Sequence, residues 1–394
     1  MKVFEIGTGY TSIPAQMGAA TEIVVEELGK VFEEEKIDYT IFDIQDENRK
    51  KTDLNIVEVK VPKIFRKKDV NLGIKHKIKR VIYSINLAKT LKKEIKHTND
   101  NIAIHFHNQY NMYFFLKLIP KKYLRNVKLY YTVHSYIWNG EWDKILNVIN
   151  KRYFQEVECV KKADKVFVLN NITKEHFIKH LGIKESKIIV TINGVNTDVY
   201  RPLSQDKNSD ITLFQCGSVC ERKNQLGAIK ALTEFLKEDK SHKYLYAGGI
   251  IDQEYKNSID NYIIENEIEN QVIYAGELKP GEELNNYYNK GKAFIFPSKA
   301  EAFSLVILEA MASGLPVIMD RKNILEISSD IRNALLFYNN NDELNKTLRE
   351  KIVDNVERKN ISEKSRQLVL DKFSWKIVAN KYLEEFEENI KNKE

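Results

Sequence analysis

The chain has 394 residues, 43% hydrophobic and 30% charged, with a net charge of +6. Such a length suits two or three domains, and such a composition excludes a disordered or fibrous chain. No apolar run approaches the ~20 residues that span a bilayer, and three cysteines (Cys159, Cys216 and Cys220) are too few for a disulfide framework and suit a reducing cytoplasm.

The chain opens on Met1-Lys2-Val3-Phe4-Glu5-Ile6-Gly7, which reads as a first strand and not as a secretory signal. From there apolar runs alternate with helical patterns. Strands are expected at Val3–Ile6, Tyr39–Ile44, Ile56–Val61, Ile102–Phe106, Leu129–Val133, Lys165–Leu169 and Ile188–Ile192, with helices at Ala19–Glu35, Ile74–Lys96, Asp143–Lys162 and Lys174–Leu181. A polar stretch, 200–210, reads as a linker. A second series follows, with strands at Ile211–Cys216, Lys243–Ala247, Val272–Ala275, Ala293–Phe296, Pro316–Met319 and Ala334–Phe337, and helices at Leu226–Leu236, Glu282–Asn289 and Ser304–Ala312. Both series describe doubly wound α/β domains. An amphipathic helix from Phe373 to Phe386 closes the chain.

Several stretches carry chemistry. Gly7-Thr8-Gly9-Tyr10-Thr11-Ser12 nearly matches the dinucleotide fingerprint, but Ser12 stands where the third glycine belongs, which weakens a nicotinamide oxidoreductase reading. Gly18, further along that loop, suits backbone amides approaching a phosphate or sugar, with a plain glycine turn as the alternative. His105 and His107, two apart at a strand end, share a face. No third metal ligand accompanies them, so they read, with Asn108, as a polar lining on an acceptor side, one of the two being equally well a core histidine. Cys216 and Cys220 lack a second pair to complete a zinc site, and no metal is expected. Gly217 followed by Arg222 and Lys223 at a helix entry is a diphosphate grip, solvated surface charge being the alternative. Backbone groups of Leu278 suit the reading of a base. Ser304 is placed to cap a helix whose first amides, at Phe303, Ser304 and Leu305, favour phosphate or sugar oxygens. From Lys60 to Lys96 thirteen cations face two acidic residues. That segment reads as a basic amphipathic helix for an anionic membrane face or as a solvated surface; no nucleic-acid motif accompanies it.

The run from Phe296-Pro297-Ser298 to Val317, with Glu301 and Glu309 seven residues apart, resembles the E-x7-E signature of the retaining nucleotide-sugar glycosyltransferases of family four, the glycosyl transferases of group 1. The resemblance implies the GT-B architecture: two Rossmann-like domains facing across a cleft, with an N-terminal acceptor domain at 1–199, a nucleotide-sugar domain at 200–374, and a helix at 375–394 returning to the first. It implies transfer of a hexose or N-acetylhexosamine from a nucleotide diphosphate sugar, UDP favoured over GDP, to a glycan or lipid-linked hydroxyl, without a cofactor or a catalytic metal. His134 then contacts the donor sugar, Arg222 and Lys223 hold the diphosphate, Glu301 binds sugar hydroxyls and Glu309 the ribose. A nucleotide-sugar epimerase and a non-catalytic nucleotide-sugar-binding protein are the other readings. The expected location is the cytoplasm, peripheral to the inner membrane face.

Overall fold

The computed structural model of the protein describes residues 1–15, 20–65, 74–203, 212–301, 303–323 and 329–391. The chain divides into two units: Met1–Asn193 with Trp375–Glu394, and Gly194–Ser374. The first crossing thus lies six residues before the expected 199/200 boundary.

The first unit holds a seven-stranded parallel sheet. In chain order its strands are β1 (Lys2–Ile6), β2 (Tyr39–Ile44), β3 (Ile56–Val59), β4 (Ile102–Phe106), β5 (Val127–Val133), β6 (Lys165–Val168) and β7 (Ile188–Val190). They lie in the order β3-β2-β1-β4-β5-β6-β7. The second unit holds β8 (Thr212–Cys216), β9 (Lys243–Ala247), β10 (Val272–Tyr274), β11 (Ala293–Phe296), β12 (Val317–Asp320) and β13 (Leu336–Tyr338), in the order β10-β9-β8-β11-β12-β13. Both are doubly wound, so strand order reverses between β1 and β4 and between β8 and β11. The carboxyl ends of those pairs are where such sheets bind ligands.

Strands such as Ala293–Phe296 are apolar throughout and wholly buried, as a sheet covered on both faces requires. The expected single helix Asp143–Lys162 is instead Trp142–Val148, a π turn over Ile149–Tyr153, and Phe154–Lys162. Past that turn, buried Glu156 accepts hydrogen bonds from Tyr131 Oη and Trp138 Nε1, both at 2.7 Å.

The basic helix Ile74–Lys96 turns Tyr83, Leu87, Leu91 and Ile95 into the core of the first unit. Ile78 stays exposed and Val81, Ile82 and Ile85 are half-buried, and cations such as Lys75, Lys77, Lys89 and Lys93 remain outside. No described helix is long and apolar enough to cross a membrane.

The C-terminal helix Trp375–Lys391 belongs to the first unit. Its Tyr382 and Phe386 pack on His105 and Phe167, with ring centroids 4.5–6.2 Å apart, and Phe386 lies 4.3 Å from Tyr130. Residues Tyr200–Leu203, expected in a linker, are fastened to the helix Glu282–Lys290 of the second unit. Asn285 accepts from the Arg201 amide (3.2 Å) and Asn289 from the Leu203 amide (2.8 Å). The rest of that expected linker lies outside the described residues.

Candidate functional site

At the β8/β11 reversal the chain leaves β8 through Gly217, whose φ is +154°, and returns into a short 3-10 turn, Glu221–Lys223. Asn224 follows in the left-handed conformation (φ 57°, ψ 39°), at the N-cap of the helix Gln225–Glu238. That reversal turns the basic pair toward the loop that follows β11. Gly248 (φ +144°), at the end of β9, must be glycine because a methyl group there would run into the Gly217 carbonyl.

The β11 loop brings Glu301 to both cations. Its Oε1 lies 2.6 Å from Arg222 Nη1 and 2.5 Å from Lys223 Nζ, and accepts from Ser298 Oγ at 2.8 Å. Arg222 also donates to the Ala300 carbonyl (2.9 Å), while its own carbonyl accepts from the Lys299 amide (2.9 Å). Gln215 Nε2 pins the Lys223 carbonyl at 2.9 Å. One carboxylate between two cations leaves a net positive charge at a partly screened sheet edge, which suits a multiply charged anion.

Glu309 lies on the helix Leu305–Ala312 and is buried. Burial pushes its carboxyl up to about 7, opposed by hydrogen bonds from Tyr288, at 2.9 Å, and Tyr200. Burial and then Glu309 push the Cys216 thiol up to about 12, while Lys223 pulls it down. Ser304 occupies the N-cap position but its hydroxyl makes no capping bond, contrary to the expectation; Phe303 is half-buried beside it. Leu278 is buried in the loop after β10, two strands away from β8. Gly18 lies outside the described residues, as does Ala302.

The first unit has its own polar cluster at the β1/β4 reversal. Glu5, buried in β1, accepts from His105 Nδ1 (3.0 Å) and His107 Nε2 (2.9 Å). His105 Nε2 meets Thr132 Oγ1 at 2.7 Å, and His107 Nδ1 meets Nε2 of the half-buried His134 at 3.0 Å. Burial works to raise the Glu5 carboxyl, but the two imidazoles outweigh it and hold the group at about 2. Burial and His105 push His107 down to about 4. Burial, with the other two imidazoles, holds His134 well below its ordinary value.

Two expectations change here. His105 has no exposed surface and is a core histidine, not an acceptor lining, because the C-terminal helix covers it. A third group of ligating type does join the pair: Glu5, His105 and His107 offer atoms within 4.8 Å of one another. Both imidazole N–H groups are already engaged by that carboxylate, so the arrangement is a hydrogen-bond network. Asn108 caps the helix Gln109–Leu118 through Tyr110 N (2.9 Å) and donates to Tyr10 Oη (3.0 Å), so both ends of its amide hold local structure.

Sequence reasoning missed Glu5, Tyr200 and Tyr288 as partners of these groups. Glu5 did leave a signal: a carboxylate in an otherwise apolar central strand must find hydrogen-bond partners.

Family models were matched to the chain in two stretches. Residues 21–199 match glycosyltransferase family 4, and residues 197–368 match glycosyl transferases group 1. The chain belongs to the group 1 glycosyltransferases. An uncharacterized glycosyltransferase of Methanocaldococcus jannaschii is 27% identical over 231 residues, 58% of this chain and 60% of that protein. The O-antigen chain mannosyltransferase of Salmonella typhimurium is 27% identical over 201 residues, 50% of this chain and 53% of that one. The matched stretches thus span little more than half the length of these relatives. Among solved structures, sucrose-phosphate synthase from Thermosynechococcus elongatus superposes with a TM-score of 0.76 at 16% identity, covering 98% of both chains. A glycosyltransferase from Rickettsia africae gives 0.71 at 20% identity, covering 99% of both. These likenesses give this group 1 chain the GT-B fold.

Proposed function

We propose that the chain is a retaining glycosyltransferase. It moves a hexose or N-acetylhexosamine from a nucleoside diphosphate sugar, with uridine the favoured base, to a hydroxyl of a glycan or lipid-linked acceptor. The observation that carries this reading is the Arg222–Glu301–Lys223 cluster at the β8/β11 reversal. An incoming diphosphate competes for the two cations and releases Glu301 to sugar hydroxyls. Negative charge grows on the departing diphosphate, so cations fixed in advance stabilise the transition state more than the ground state. Glu309, at the same edge, takes the ribose. The leaving phosphate oxygen accepts the acceptor's proton on the face from which it departs, so the reading needs no cofactor and no metal. The relatives named above, one of them a mannosyltransferase, support transfer to a glycoconjugate. The outward cations of the 60–96 segment suit loose attachment to an anionic membrane surface.

The test is a thermal-shift series with uridine, guanosine and adenosine diphosphate sugars, followed by transfer from whichever donor stabilises the protein. Stabilisation by one base, with the anomeric configuration kept in the product, is expected. A protein indifferent to every donor, or an inverted product, overturns the reading.

A further inference from the structure

Glu5, His107 and His134 form a chain of hydrogen bonds that fixes where each proton sits. An ionised carboxylate has no proton to give, so it only accepts. Glu5 Oε2, 2.9 Å from His107 Nε2, therefore requires an N–H at that nitrogen. A neutral imidazole carries one N–H, so His107 Nδ1 is bare and must accept. The atom facing it at 3.0 Å is His134 Nε2, which must then be the protonated nitrogen of His134. The remaining His134 nitrogen, Nδ1, is left with a lone pair.

We propose that Glu5 and His107 are positioning residues that lock His134 in its Nε2–H tautomer, so that its Nδ1 accepts a hydrogen bond from a substrate hydroxyl. The consequence for substrate rests on the glycosyl-transfer reading; the tautomer does not. The network's surroundings support a fixed arrangement. Glu5 cannot turn away, because His105 Nδ1 holds its other oxygen at 3.0 Å. His105 is fixed in turn by Thr132 on β5, by Phe167 on β6 and by Tyr382 and Phe386 of the C-terminal helix. The groups that face His107 are Glu5 from β1, His105 from its own strand end and His134 after β5. Burial and the neighbouring imidazoles keep His107 and His134 neutral near pH 7, while the imidazoles, against burial, keep Glu5 ionised.

The test is a long-range proton–nitrogen correlation spectrum of the full chain labelled with nitrogen-15 histidine, with His134→Gln to assign the signals. At pH 7.5 His134 is expected as one neutral tautomer protonated at Nε2. In His107→Phe, which has no acceptor to offer, His134 is expected to divide between both tautomers. In the transfer assay that variant is expected to lose about 10- to 100-fold in kcat, with a smaller change in donor KM, as for groups that orient a functional imidazole from behind. A wild-type His134 protonated at Nδ1 or at both nitrogens, or a His107→Phe chain that keeps the single Nε2–H form, overturns the proposal. Should His107→Phe fail to fold, the wild-type spectrum alone decides. A wild-type chain with the expected tautomer that transfers no sugar leaves this inference standing and removes the functional reading instead.

Discussion

A carboxyl enclosed with two tyrosines is hard to ionise, and Glu309 shows it by titrating near 7 where its ordinary value is 4.5. Between those values the folded protein keeps a proton that the unfolded chain has released. The group's contribution to stability is complete below the lower value and is lost as pH rises through the upper one. Glu309→Gln, which still accepts from Tyr288, is expected to flatten that decline. Urea denaturation should show it gaining up to about 3 kcal/mol over the parent at pH 8 and almost nothing at pH 4. Lys223 should behave differently, because its ion pair is shared. Arg222 and Ser298 still hold Glu301 when the lysine is gone. Lys223→Ala should therefore lower the unfolding free energy by no more than about 1 kcal/mol in urea denaturation, yet weaken binding of free nucleoside diphosphate roughly 30-fold, the worth of one charge-assisted bond of about 2 kcal/mol, as isothermal titration would read. At this scale the sequence showed Arg222, Lys223 and Glu301 because their spacing around two strand ends is a local pattern. It did not show that the two cations and the carboxylate would bind one another, or that Glu5 would hold two histidines 100 and 102 positions away. Those pairings come from strand order, which no local pattern records.

Elements were legible where hydrophobic runs are dense. The strands Tyr39–Ile44, Ile102–Phe106, Lys243–Ala247 and Ala293–Phe296 and the helix Ile74–Lys96 fall at the expected residues. The helix Asn355–Lys372 went unread because charges run round its whole surface and few of its side chains are buried. Gln109–Leu118 went unread because its aromatics follow no clean helical stripe. The π turn at Ile149–Tyr153 has no sequence signature, as it adds one residue to a turn without a break in composition. Glycine at the β9 end is an element-scale demand, since its backbone approaches Gly217 too closely for a side chain. Gly248→Ala pushes a methyl group into the Gly217 carbonyl at a φ that other residues rarely adopt. It is expected to cost about 1–3 kcal/mol by chemical denaturation. It should also weaken nucleotide binding, because Gly217 lies against the Lys223 stem.

For the molecule as a whole, the chain crosses between units twice, and Val195 and Ser374 pair as neighbours beside those crossings. Removing 375–394 should therefore damage the first unit, which loses the cover over Tyr130, Phe167 and His105, and spare the second. Scanning calorimetry should show one transition lost or sharply lowered and another kept, the survivor being the one that nucleoside diphosphate raises. The same layout sets a timetable during synthesis. Ribosomes make chains from the amino end, and the earliest domain ordinarily folds first. Here the first unit stays unfinished until the final helix emerges, whereas the inserted unit has all its residues sooner. While residues 194–374 are being made, an aromatic patch on the first unit's sheet stands uncovered, so a nascent chain stalled before Trp375 is a natural client for chaperones.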